Sequence, residues 1–326
     1  MKGGKKDRMN ELAYKVGALL YSPAINLALA DKIEQGQLGK LTSMAFCLED
    51  SIQDSALEQA EQTLKQTLKA IKNKNISSLP LLFVRVRTPQ HLERVHLLLA
   101  EDETVLTGYI LPKFDMTNAN EYKEIFTQIN QKGNSIKYMM PILESEPISN
   151  IRTRADQLER IKSLLDSIKD YVLNVRVGGN DFSNLFGVRR NVSQTIYNIG
   201  VVRDILVDIL NVFSKDYVVS GPVWEYFGND SNAAWANGLR NELKLDRLNG
   251  FIGKTSIHPS QLPIIYDSLM VERSDYDDAV RILNWRPDLY AVEKSADGSR
   301  MNEVKCHSNW AKKIIILGNT YGIKEK

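Results

Sequence analysis

The sequence predicts a (β/α)8 barrel followed by a short helical extension. Three observations carry that reading. Eight short apolar runs are spread over residues 16–257, amphipathic stretches separate them, and polar residues gather where the runs end. A barrel of eight strand–helix units typically takes roughly 250 residues. A doubly wound sheet is the alternative. No GxGxxG follows the first run and no GxxxxGKS/T occurs anywhere, which weakens a nucleotide-fold reading.

The runs come in order. They are VGALLYS (16–22), SMAFCLE (43–49), LLFVRVR (81–87), VLTGYILP (105–112), IKYMMPIL (136–143), YVLNVRVG (171–178), DYVVSG (216–221) and GFIGKTSI (250–257). After the second run, Leu57, Ala60, Leu64, Leu68 and Ile71 recur at helical spacing, with Asp54 or Ser55 as the candidate cap. After the fifth, Leu158, Ile161, Leu164, Leu165 and Ile168 do the same. After the sixth, Ile196, Ile199, Ile205, Leu206, Ile209, Leu210 and Phe213 form a third stripe. Such stripes are core-facing surfaces and call for no cofactor.

Composition shifts near residue 270. Two or three helices around the polar loop SADGSRMNE are expected there. The expected division is a catalytic barrel over residues 1–270 and an extension over 271–326. That extension is too short for a large core of its own and should dock on the barrel or on a neighbouring subunit.

With 25% charged residues and a net charge of +2, the chain offers no whole-molecule attraction for nucleic acid or an anionic membrane. The basic start, MKGGKKDR, reads as a solvated tail rather than an RNA-binding arm, so no nucleic acid partner is expected. No apolar h-region and cleavage site follow it, so it does not read as a signal peptide. No apolar run approaches membrane-spanning length. Cys47 and Cys306 lie far apart with no CxxC, which gives no zinc or disulfide framework and suits a reducing cytoplasm.

Barrel enzymes place their chemistry at the C-terminal ends of the strands. Here those ends carry Tyr21-Ser22, Glu49-Asp50, Arg85 and Arg87, Lys113, Glu144, Gly178-Gly179 before Asp181, and His258. Each has a plain structural reading. Glu144 favours the positive end of a helix capped by Ser145, Asp181 caps the next helix, Arg85 bridges to Glu49, Lys113 sits in a salt bridge, and His258 packs at a turn. Jointly they point to one shared mouth. Two carboxylates with waters and substrate oxygens suit magnesium, and no His cluster suits zinc. Such an ion beside an arginine would bind an α-keto acid or a thioester-derived enolate. The glycines before Asp181 let backbone N–H groups approach a substrate carboxylate.

In these motifs the chain resembles the HpcH/HpaI aldolase and citrate lyase β-subunit family. LLYSPA is similar to the first-strand segment, FCLEDSI to the LED motif, FVRVR to the VRV motif and GYILPKF to the LPK segment. PILESEP, VRVGGNDFSNLFG and GKTSIHPSQL continue the match in order. The resemblance implies a magnesium-dependent carbon–carbon bond lyase on a barrel of the phosphoenolpyruvate/pyruvate type. It implies magnesium on Glu144 and Asp181, with manganese able to substitute. It makes Arg85 the substrate-carboxylate arginine, with Arg87, Lys113 and Gly179 beside it. Glu49 then positions Arg85 or a metal-bound water. A keto acid or a CoA thioester is the implied substrate, cleaved or condensed through a metal-stabilised enolate, and a homo-oligomer, a trimer or a multiple of one, is implied.

There are departures. Val16-Gly17 stands where the family often has Arg-Ser, and Arg87 stands where it often has Asn. In several members a Met-Ile-Asp loop delivers an acid into a neighbouring subunit's site. Here the similar stretch is Met301-Asn302-Glu303, so Glu303 is either the catalytic acid or part of a surface turn around Asp297-Gly298. The alternative to a lyase is a metal- and ligand-binding barrel without turnover.

Overall fold

The computed structural model describes residues 11–74, 76, 78–285, 292–296 and 298–325. Among them, eight parallel strands correspond one to one with the eight apolar runs. They are β1 (Ala18–Pro23), β2 (Ser43–Cys47), β3 (Leu81–Arg85), β4 (Gly108–Leu111), β5 (Tyr138–Leu143), β6 (Val175–Val177), β7 (Val219–Ser220) and β8 (Lys254–Ser256). The sheet order is β7-β6-β5-β4-β3-β2-β1-β8. Two backbone bonds join its ends, Ile252 N–H to Val219 O at 2.8 Å and Gly221 N–H to Gly253 O at 3.0 Å. The sheet therefore closes into the expected (β/α)8 barrel. Closure leaves no strand edge free to pair with another chain.

Alternation along each strand builds two environments. Met44, Phe46, Val84, Leu82, Val175 and Val177 join the apolar cluster beneath the surrounding helices. The residues between them, including Cys47, Arg85 and Arg176, belong to the other face and look into the barrel. The helix-facing cluster takes in all three predicted stripes, on the helices Leu57–Lys74, Arg154–Ser167 and Gly200–Phe213. The third stripe begins one element early, because Ile196–Asn198 forms a separate 3-10 turn.

Local details differ from the sequence reading. Neither Asp54 nor Ser55 caps the helix Leu57–Lys74. Both lie in a 3-10 turn, Asp54–Ala56, that runs into the helix, and the Asp54 carboxylate instead pairs with Arg87. Gly253 is required where β8 meets β1. Its φ is +76°, and a Cβ there would lie 2.3 Å from Gly17 O.

The chain divides into two compact units. One is Val16–Ile265; the other joins the segment before Val16 to that from Tyr266 onward. The second unit contains the helices Arg273–Leu283 and Val304–Tyr321. Its polar loop is partly strand. Val292–Lys294 pairs antiparallel with Met301–Glu303, because Arg300 N–H and Ser295 N–H anchor the turn between them. Asp297 of the expected surface turn lies outside the described residues, as does the basic start MKGGKKDR. Among the described residues, no helix is long and apolar enough to cross a membrane.

Candidate active site

A cavity of about 390 Å³ opens at the C-terminal ends of the strands in the barrel unit. Tyr21, Cys47, Arg85, Glu144, Arg176 and Asp181 are among the residues that line it. Glu144 follows the last residue of β5, where the strand delivers a carboxylate into the interior and the chain turns into the short helix Glu146–Ser149. Ser145 takes the capping position of that helix, but its side chain makes no capping bond. Glu144 is therefore not held there as part of a cap. Its Oε1 accepts the Lys113 backbone N–H at 3.0 Å and faces Arg85 Nη2 at 3.4 Å. Lys113 adopts a φ of +50°, a conformation a side-chain-bearing residue seldom takes, and so turns its N–H toward Glu144.

Asp181 sits in the first turn of the helix Gly179–Leu185, three residues after the cap position, which Gly178 takes. A Cβ on Gly178 would lie 2.1 Å from Glu144 Oε2 and 3.0 Å from Asp181 Oδ2. The two carboxylates thus converge on one point, and only a glycine fits beneath them. Burial pushes the Glu144 carboxyl up to about 8, and the Asp181 charge adds to that rise against the pull of Arg85. Two acids that repel each other in a buried site are the donor set a hard divalent cation relieves. Among the described residues, no group of three or more His, Cys, Asp or Glu side chains forms a closed cage. A two-carboxylate site leaves the remaining positions to water and substrate oxygens, as magnesium requires. The residues fit the ion.

Arg85 is the hub of the acidic side. Its Nη2 meets Glu49 Oε2 at 2.9 Å and its Nη1 meets Asp50 Oδ2 at 2.9 Å. Lys113 Nζ reaches Glu49 Oε1 at 2.7 Å. Burial raises the Glu49 carboxyl against the pull of Arg85 and Lys113. Asp50 is the partner open to solvent, with 57% of its side chain exposed.

The remaining predicted residues have other partners. Arg87 is committed to structure: Nε donates to Leu48 O at 2.7 Å, Nη2 donates to Ile52 O at 2.6 Å, and Nη1 pairs with Asp54. It is not among the residues lining the cavity. Gly179 packs against Pro222, whose Cβ would stand 2.7 Å from an added Cβ, and the glycine at the cavity wall is Gly178. His258 is a turn residue, bonded to Ser260 and stacked on Phe227 with ring centroids 4.5 Å apart. Glu303 lies in the second unit, where its carboxylate accepts the Cys306 thiol and its N–H donates to His307 Nδ1.

Residues 10–323 match the family described as C-C bond lyases of the TIM-barrel fold. The chain belongs to that family. It is thereby a carbon–carbon lyase by membership, with relatives of the citrate lyase β-subunit kind among its structural neighbours. A citrate lyase from Burkholderia xenovorans superposes with a TM-score of 0.71 at 17% identity, over 95% of this chain and 93% of that one. The CitE protein of Mycobacterium tuberculosis, in complex with magnesium, acetoacetate and coenzyme A, gives 0.59 at 16% identity, over 93% and 98%. The citrate lyase β subunit of M. tuberculosis, complexed with oxaloacetate and magnesium, gives 0.52 at 17% identity, over 78% and 98%. At these identities the structural likeness speaks for the fold. No curated protein matches the chain in sequence.

One cavity residue of this family member escapes the strand-end argument. Arg176 lies in the middle of β6, not at its end. The signal is there in NVRVGG, where a single cation interrupts a valine run.

Proposed function

We propose that the cavity cleaves or forms a carbon–carbon bond next to the carbonyl of a keto acid or an acyl thioester, with magnesium held by Glu144 and Asp181. The convergence of those two carboxylates over Gly178, beside Arg85, carries this reading. Bound there, magnesium would supply Lewis-acid stabilisation of the negative charge that develops on a carbonyl oxygen. The chain's own residues do the rest. Arg85 exchanges Asp50 for the substrate carboxylate. Glu49 fixes the Arg85 guanidinium, and Lys113 fixes both Glu49 and Glu144. In the cleavage direction the hydroxyl on the departing carbon gives up its proton to water and becomes a carbonyl, the electron pair of the Cα–Cβ bond passes to the retained carbonyl as an enolate, and the enolate carbon takes up a proton from water. The magnesium, keto-acid and coenzyme A complexes of the structural relatives support this choice of ligands.

The test is exchange of the methyl protons of pyruvate in deuterated solvent with magnesium, followed by NMR. Exchange by the wild-type protein that is lost in Asp181→Asn and Glu144→Gln is expected. A wild type that binds pyruvate and magnesium without exchange would leave a binding barrel in place of a lyase. Prior saturation of Arg85 by three carboxylates is the feature that would favour that second outcome.

A further inference from the structure

The charged and the apolar residues of the cavity come from different arcs of the barrel. The ends of β2, β3, β5 and β6 bring Asp50, Arg85, Glu144 and Asp181 to its lining. The ends of β7, β8 and β1 bring Val223, Ile257 and Pro23. Those three strands are neighbours, because backbone bonds close the sheet between the ends of β7 and β8 and β8 pairs with β1. Neither β8 nor β1 contributes a charged side chain to the lining, and Glu225, which follows β7, already pairs with Arg189 at 2.6 Å. Arg176 of β6 gives its Nη2 to Thr255, and its Nε and Nη1 are closed off from solvent. Among the described residues lining this arc, a second anion on the substrate would meet no cation free to receive it. The apolar arc is also held in place. Gln261 is fully buried and ties the loop after β8 to the loop after β7. Its Oε1 accepts the Ile257 N–H at 3.0 Å, and its Nε2 donates to Trp224 O at 2.8 Å and to Tyr226 O at 2.9 Å. Ile257 is 41% exposed and Val223 is half-buried, so both keep apolar surface in contact with water. An apolar group that covers such a wall gains its burial without first having to order it.

We propose that Val223, Ile257 and Pro23 form a subsite for an uncharged aliphatic substituent on the second fragment of the reaction, the one that does not become the enolate. That fragment is an aldehyde or ketone carrying an apolar chain. In the joining direction the keto acid loses a proton from its methyl or methylene carbon to water, and that carbon bonds to the carbonyl carbon of the second fragment. The carbonyl electron pair moves to its oxygen, which takes a proton from water. The charged arc holds the keto acid, and the apolar arc holds the chain. The inference rests on the proposed lyase reading for which carbon reacts. The apolar preference rests on the arc itself.

The experiment is calorimetric binding of pyruvate, 2-oxopentanoate, 2-oxohexanoate and 2-oxoglutarate, with magnesium present, to wild type, Ile257→Ala and Ile257→Lys. In these acids the fourth carbon stands where the carbonyl carbon of the second fragment would be, and the carbons beyond it stand for the substituent. Wild-type affinity is expected to rise about threefold for each such carbon. 2-Oxoglutarate, similar in size to 2-oxohexanoate but ending in a carboxylate, should bind about tenfold more weakly than it. Ile257→Ala should remove most of the chain-length gain and change pyruvate by less than about twofold. Ile257→Lys should reverse the order and place 2-oxoglutarate above 2-oxohexanoate. No binding of 2-oxohexanoate, no gain with chain length, a wild type that prefers 2-oxoglutarate, equal losses for pyruvate and 2-oxohexanoate in Ile257→Ala, or an unchanged order in Ile257→Lys would each overturn the proposal. Binding is read directly, so failure of pyruvate proton exchange with the chain-length gain intact would count against the lyase reading and leave the subsite standing.

Discussion

Lys254 and Arg176 are both buried cations on barrel strands, and the fold treats them in opposite ways. Lys254 is fully buried on β8, and its Nζ meets Glu242 Oε1 at 2.8 Å and Asp246 Oδ2 at 2.7 Å. Those acids stand four residues apart on the helix Ala234–Asn249, so they share one face. They have further partners: Glu242 Oε2 accepts the Ile196 N–H and Asp246 Oδ1 accepts the Tyr197 hydroxyl. Nothing is left over for a ligand. Arg176, two strands away, has hydroxyls where Lys254 has carboxylates. The difference separates a cation that completes a charge-paired network from one held by hydroxyls alone. Arg85 lies between the two cases, with two buried acids and one exposed acid that can yield.

The largest expected effect sharpens that comparison directly. Lys254→Met should destabilise the protein by about 3–5 kcal/mol, because it leaves Asp246 buried without a counter-ion and Glu242 with only Arg190, at 3.5 Å. Chemical denaturation of Lys254→Met beside Arg176→Met checks this. Similar losses in the two would erase the distinction between them.

Next in size is the metal site. Glu144→Gln and Asp181→Asn should each lower manganese affinity, read by EPR, by more than the roughly 100-fold upper range of an outer-shell change. If affinity held in both variants, the carboxylate pair over Gly178 would be structural, like the pair around Lys254.

A third effect follows from protonation of Glu144. Its folded value of about 8 lies above the ordinary 4.5 of a free glutamic acid. Metal needs the ionised form, so manganese affinity should rise by up to about tenfold per pH unit as pH approaches 8, then level off. In Glu144→Gln the residual affinity should lose that slope. The sign for stability is opposite. The protonated form is the one burial favours, so the contribution of Glu144 to ligand-free stability is full below 4.5 and is lost as pH rises through about 8. A pH series of melting curves without metal, flattened in Glu144→Gln, is the check.

The smallest effect concerns Arg87. Its bonds to the Leu48 and Ile52 carbonyls tie down the loop after β2. Arg87→Met should cost about 2 kcal/mol of stability and leave ligand affinity near the wild-type value. A tenfold fall in keto-acid binding would return Arg87 to the substrate.

Much of this was legible before the structure. The eight strands follow from short apolar runs separated by helical stripes, and the strand ends marked Glu49, Arg85, Lys113 and Glu144 as neighbours. Asp181 was found through its position after two glycines, although which glycine serves the cavity was not. Gly178 and Gly179 are chemically identical in sequence. Only the packing of Pro222 against one and of Glu144 and Asp181 against the other tells them apart. Arg87 misled for a related reason. FVRVR offers two arginines at alternate positions, so both belong to the same strand face. β3 ends at Arg85, however, and beyond it the chain turns Arg87 toward the loop carbonyls.

The sequence by itself determined the barrel, because hydrophobic periodicity is a local property and a two-residue or 3.6-residue repeat can be read without knowing any partner. It also determined that acids and cations meet at the strand ends. Only the tertiary structure decided which of those charges are spent on one another. In sequence, Lys254 and Arg176 are alike, each a lone cation in a three-residue strand. A helix that brings Glu242 and Asp246 to one and leaves Thr255 and Tyr21 beside the other makes them different. Charge compensation depends on distance in space, and neither residue carries that distance in its own stretch of chain.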